Sequence, residues 1–146
     1  MDRSPRSVLN MTTPTVLAVV GDLLFTVKIS EAAKRAGVTV RCVTKEEVFL
    51  ERAKENPPLI IFDLNFDAMR PLELIAKIKA DPALKQIPLL GYLSHVQEDL
   101  KVAAQQTGCD EVIPRSAFSM HLPEILKRAV GVTEKIGPPM NADERG

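Results

Sequence analysis

Short, wholly apolar runs alternate along this chain with longer stretches of helical periodicity. Residues 16–20 read Val-Leu-Ala-Val-Val, a run of the kind that is buried on both faces of a sheet. Leu24, Val27, Ile29, Ala32, Ala33 and Ala36 follow as a helical stripe that stops at Gly37, a residue suited to a left-handed helix end. Residues 38–43 alternate apolar and polar, as a half-exposed strand does. Thr44 opens the sequence Thr-Lys-Glu-Glu, which has capping-box spacing and predicts a helix running to about Asn56, where Pro57-Pro58 end it. A third strand spans 59–63. Leu72, Leu74, Ile75 and Ile78 then predict a helix over 71–80, stopped by Asp81-Pro82. A strand over 88–93 and a helix over 96–107 come next, the helix with Leu100, Val102, Ala103 and Ala104 inside and Gly108 as its stop. After a short strand over 110–114, Ser116 or Ser119 is placed to cap a last helix, with Leu122, Ile125, Leu126, Ala129 and Val130 as its buried stripe.

Five strand-helix units in series call for a parallel sheet with helices on both faces. Right-handed crossovers leave few topologies, and the flavodoxin-like strand order 2-1-3-4-5 leads among them. The fold class is therefore a single three-layer α/β domain over residues 14–131. Residues 1–13 have no periodicity and read as a loose arm, with Met11 an alternative start to Met1. Residues 132–146, with their Gly-Pro-Pro and Asn-Ala-Asp-Glu-Arg-Gly, read as a flexible tail.

Asp63 closes the most apolar of these strands, Leu59-Ile-Ile-Phe-Asp63. In open α/β sheets the carboxyl ends of the strands are where ligand chemistry is placed, so this carboxylate is the leading candidate for function. Composition removes several classes of function. Nineteen basic and nineteen acidic residues cancel, and no global field recruits nucleic acid or an anionic membrane. No run approaches a membrane span and no secretory signal is evident. Cys42 and Cys109 lack metal-site spacing and read as free buried thiols, which suits a reducing cytoplasm. Two histidines make no ligand cluster. The segment Val20-Gly21-Asp22-Leu23-Leu24 is a poor phosphate nest, so flavin binding is not expected. Leu23, Leu24 and Phe25 are unusually apolar for a loop. They serve either as an exposed patch for a partner or, for at least two of them, as core.

Three stretches fall in a telling order: Leu59-Ile-Ile-Phe-Asp-Leu64, Asp81-Pro-Ala-Leu-Lys-Gln-Ile-Pro-Leu-Leu90, and Gly108-Cys-Asp-Glu-Val-Ile-Pro-Arg-Ser-Ala-Phe118. Together they resemble the receiver domain of bacterial two-component response regulators (CheY-like), over roughly residues 15–130. That resemblance implies phosphoryl transfer to the Asp of the third strand. It also implies Mg²⁺ held by that Asp and two acidic residues after the first strand, a Thr or Ser ending the fourth strand, and a Lys ending the fifth. Metal and Lys would supply the positive charge that a carboxylate needs to attack a phosphate.

Residue by residue, the match is thin. The acidic pair falls on Val20 and Gly21, the switch hydroxyl on Leu93 with Ser94 one place on, the Lys on Arg115, and the following Pro on Ser116. Only Asp63 keeps its family residue. Asp22 is left to cap the first helix or to act as a metal ligand, and with Asp63 it is a weak candidate pair. Arg115 either pairs with Asp63 or is solvated. Ser94 beside His95 reads as a helix N-cap rather than a nucleophile and base, and His121 as a surface residue. The chain thus resembles a degenerate, phosphorylation-independent pseudo-receiver of a phosphorelay system. It is expected to need no cofactor, to catalyse nothing, and to contact another signalling protein or a second copy of itself through the 96–130 face. The alternatives are a working Mg²⁺-dependent phosphoacceptor at Asp63, and a small-ligand binder at the strand ends.

Overall fold

The computed structural model describes residues 14–94 and 97–131. The expected arm and tail, and His95 with Val96, lie outside the described residues. The elements run β1 (Thr15–Val19), α1 (Leu23–Ala36), β2 (Thr39–Val43), α2 (Glu46–Ala53), β3 (Ile60–Asp63), a 3-10 turn (Asp67–Met69), α3 (Pro71–Ala80), β4 (Leu89–Leu93), α4 (Glu98–Thr107), β5 (Glu111–Pro114), α5 (Arg115–Met120) and α6 (Leu122–Ala129). The five strands are parallel in the order β2-β1-β3-β4-β5, as the apolar runs predict.

Alternation along each strand divides the core in two. Leu17, Val19, Ile60, Phe62 and Leu89 face Phe49 of α2, Leu74, Ile75 and Ile78 of α3, and Ala104 of α4. Val16, Ala18, Ile61, Leu90 and Tyr92 face Phe25 and Ile29 of α1, Phe118 of α5, and Leu122 and Leu126 of α6. The central strands are buried on both sides, which is why their sequence shows no alternation.

Local departures from the expected pattern have physical causes. Helix α1 buries Phe25, Ile29, Ala32 and Ala33, whereas Leu24 and Val27, expected inside, are exposed. The expectation that at least two of Leu23, Leu24 and Phe25 join the core is thereby corrected, because Phe25 alone does. Helix α2 has Lys45 at its N-cap and no side-chain cap, so the capping box at Thr44 does not form. Glu46 and Glu47 in its first turn suit the positive end of the helix dipole instead, and Glu46 also pairs with Lys77 of α3. Helix α4 starts at Glu98 behind Gln97, and its Val102 is exposed rather than inside. The single last helix is broken into α5 and α6 at His121. Pro123 has no N–H to offer the Ser119 carbonyl four residues back, and its ring crowds that carbonyl. Neither Ser116 nor Ser119 caps: the chain passes from Pro114 straight into α5, leaving Ser116 exposed on the helix.

Cys42 and Cys109 are unpaired thiols. Burial pushes both above the usual thiol range, Cys109 to about 11.

Candidate functional site

The site lies where the chain leaves β1, β3, β4 and β5. The register sets Asp63 directly beside Tyr92, and Tyr92 beside Ile113. Asp63 is 6% exposed, the one charged residue among the buried positions described. One oxygen, Oδ1, accepts the Asn65 N–H at 3.0 Å. Burial pushes the carboxyl above its usual range. The Asn65 bond and the Arg115 charge pull it back, and the negative charges of Asp22 and Asp67 add to the rise.

Asp22 takes the role of helix cap. Its backbone is extended, and Oδ1 accepts the N–H groups of Leu24 at 2.9 Å and Phe25 at 3.3 Å. Its other oxygen, Oδ2, accepts from Arg115 Nη2 at 3.0 Å. Arg115 is thus neither paired with Asp63 nor simply solvated, the two alternatives the sequence leaves open. It reaches across to β1's exit and lies over the Phe25 ring, with Cζ 4.8 Å from the ring centroid. Its buried Nε has no hydrogen-bond partner. Replacing Asp22 with Ala is expected to cost about 1 kcal/mol, the value of a helix cap. Asp22→Asn keeps the acceptor and should cost only a few tenths, since a half-exposed ion pair is worth little. Urea unfolding of both variants checks this, and equal losses would make the ion pair the stronger contribution.

Beneath Arg115 the site floor is aromatic. Tyr92 stacks on Phe118 with ring centroids 4.5 Å apart, and Phe25 lies 5.1 Å from Tyr92 and 5.9 Å from Phe118. The Tyr92 hydroxyl is buried without a partner, and burial, then the charge of Asp63, pushes its pKa far up.

The remaining expected positions are apolar or turned to structural use. Val20 is buried in the α1 face of the core, and Leu93 in the opposite one. A Cβ placed on Gly21 would stand 2.7 Å from Phe66 Cζ, so an aromatic ring occupies the space an acidic side chain would need. The N-cap position of α4 falls on Gln97 rather than Ser94. Its N–H donates to Asn65 Oδ1 at 2.7 Å, while Asn65 Nδ2 donates to Gln97 Oε1 at 2.9 Å. Asn65 therefore ties the end of β3 to the exit of β4 and the start of α4. His121 is exposed, with Nδ1 3.3 Å from Glu124 Oε1.

Sequence reasoning places Asp63, Asp22, Ser94 and Arg115 at one sheet edge, and there they stand. It misses Asn65, Phe66, Phe25 and Tyr92. Only Asn65 carried a local signal, because Asp-Leu-Asn at a strand end invites the side chain-to-backbone turn that Asp63 makes. Phe66 and Phe25 act through contacts between segments distant in sequence.

A receiver's Mg²⁺ does not fit these residues. A hard cation wants several oxygens in near-octahedral array. Both oxygens of Asp22 are engaged, the side chains of Val20 and Gly21 supply no ligand, and the Phe66 ring covers Gly21. Among the described residues no group of three or more His, Cys, Asp or Glu could hold a metal ion. Nor is any described helix long and apolar enough to cross a membrane. Two concavities line other parts of the surface, and Asp63 borders neither.

No protein-family model and no curated protein sequence matches the chain. Its fold does match solved structures. A response regulator from Hahella chejuensis superposes with a TM-score of 0.73 at 17% identity, covering 82% of this chain and 97% of that one. The phosphorylated form of a cyanobacterial phytochrome response regulator gives 0.64 at 24% identity, over 80% and 90%. The receiver domain of a sensor histidine kinase from Pseudomonas aeruginosa, with magnesium coordinated in its active-site cleft, gives 0.69 at 16% identity, over 82% and 98%. The chain has the CheY-like fold of response-regulator receiver domains.

Proposed function

We propose that this receiver-fold chain is a signalling module of the two-component type that works by protein-protein contact, without phosphorylation at Asp63 and without catalysis. The carrying observation is the closed site: Phe66 against Gly21 where a metal-binding carboxylate would stand, and Arg115 spent on Asp22. Phosphoryl transfer to a carboxylate needs cationic charge on the phosphate oxygens. Among the described residues the cation at the site, Arg115, is already paired with Asp22, and burial raises the pKa of the Asp63 carboxyl beside it. Leu93 offers no hydroxyl to follow a phosphoryl group inward. The two-state equilibrium of a switching receiver then lacks its differential contact, and no population shift follows. The cytoplasm suits such a role.

Incubation with acetyl phosphate and Mg²⁺, read by intact mass, is expected to leave the chain unmodified. Calorimetric titration with Mg²⁺ at physiological concentration is expected to show no site. A phosphoryl adduct that disappears in Asp63→Asn would establish the working phosphoacceptor instead.

A further inference from the structure

At the edge of the sheet opposite Asp63, where β3, β4 and β5 begin, a pocket of about 290 Å³ opens between the strands and α6. Its floor is apolar: Leu59, Leu89 and Leu90 on the strand side, Ile125 and Ala129 on α6. Pro58 and Pro88 complete the strand side, and as prolines they offer a ligand no N–H there. Backbone groups around the floor are already matched. The Leu59 carbonyl accepts the Leu17 N–H at 3.1 Å, the Pro88 carbonyl the Ile60 N–H at 3.0 Å, and the Leu89 carbonyl the Asp110 N–H at 3.1 Å. The Leu89 N–H donates to Asp110 Oδ2 at 2.8 Å, and Lys79 Nζ reaches the same oxygen at 3.4 Å. The walls are thus fixed in advance, and recognition falls to side chains at the rim.

Two charged side chains are left for it. Arg128 of α6 and Glu111 of β5 both line the pocket and are exposed, and neither has a hydrogen-bond or ion-pair partner among the described residues. An unpaired cation and an unpaired carboxylate around an aliphatic floor select a ligand by charge. A simple carboxylate would satisfy Arg128 but bring negative charge to Glu111 and Asp110. A simple amine would satisfy Glu111 and meet Arg128. A purely apolar molecule would take water from both groups and replace none of it. The volume, at the lower end for small-molecule sites, suits one small ligand rather than a helix.

We infer that this pocket binds a small aliphatic zwitterion of the α-amino acid class. Its carboxylate accepts from the Arg128 guanidinium, its ammonium donates to Glu111, and its side chain lies against Leu59, Leu89 and Ile125. The inference goes beyond the contact-module reading by giving the module an input. Phe66 closes the phosphoryl site and Asp22 engages Arg115, whereas occupancy at the far edge of the sheet needs neither metal nor phosphoryl group.

The test uses the full chain and three probes that share one aliphatic body: L-leucine, isocaproate, which lacks the ammonium, and isopentylamine, which lacks the carboxylate. By titration calorimetry L-leucine is expected to bind about ten-fold more tightly than either, or better. It should shift the amides of Leu59, Leu89, Glu111 and Ala129. Arg128→Gln and Glu111→Gln, both at exposed positions, should leave the circular dichroism and melting curve in place. Arg128→Gln should remove leucine's advantage over isopentylamine, and Glu111→Gln its advantage over isocaproate, a crossover that a merely structural change would not produce. No binding of L-leucine at millimolar concentration, equal affinity for the three probes, or shifts centred on Asp63 or α4 would overturn the inference. So would variants that weaken all three probes alike. A phosphoryl adduct at Asp63 would overturn the proposed function while leaving these affinities standing, so the two failures are distinguishable.

Discussion

Replacing Gly21 with Asp, the residue type that would begin to rebuild a receiver's metal site, is expected to destabilise the protein by about 2 kcal/mol. The cause is steric. An ideal Cβ at Gly21 would lie 2.7 Å from Phe66 Cζ and 2.8 Å from Cε1, well inside van der Waals contact. The ring is partly buried against the core that α2 and α3 also share, so moving it aside gives up packing contacts. Gly21→Ala isolates the steric part from the added charge and should cost about 1 kcal/mol or more. In a Phe66→Ala background the Gly21→Ala cost should fall close to zero, giving a coupling of about 1 kcal/mol in a double-mutant cycle. Urea midpoints of the four proteins supply the cycle. Equal costs in both backgrounds would show that the ring is not what closes the site.

This contact also marks where sequence reasoning stops. The strand-helix alternation is legible because its signals are local: apolar runs for strands buried on both faces, and stops at Gly37, Asp81-Pro82 and Gly108. Gly37 does adopt the left-handed conformation, with φ 72°, that ends α1. Which of two adjacent apolar residues faces the sheet is not local. Leu24 and Phe25 have similar hydrophobicity, and the direction in which Asp22 launches the helix settles the choice. The partner of Arg115 is decided the same way. Two carboxylates stand at one sheet edge, and only geometry selects Asp22 over Asp63. Phe66 reaches Gly21 from the loop after another strand, and no spacing rule relates them. The break at His121, by contrast, was legible in Pro123, and the amphipathic stripe around it hid the signal.

Asn in place of Asp63 should stabilise the protein at neutral pH by about 1 to 2 kcal/mol, although it removes the one family residue the site retains. The direction follows from the raised pKa. Burial makes the native state prefer the protonated carboxyl, so between the unfolded value near 3.9 and the higher native value the folded chain binds more protons than the unfolded one. Stability therefore falls as pH rises through that window, and above it the full penalty of a buried carboxylate is present. Below both values the acid is neutral in both states and carries no penalty. Asn is neutral throughout, has nearly the same shape, and keeps an oxygen to accept the Asn65 N–H. The difference between Asp63→Asn and the parent chain should thus be close to zero at pH 3 and grow as the pH rises from there to 7. Other titrating groups cancel in that difference. Urea unfolding of both proteins across this range gives the curve. A variant less stable than its parent at pH 7 would mean that Asp63 is held as a carboxylate by a cation, and Arg115 would then have to serve it rather than Asp22.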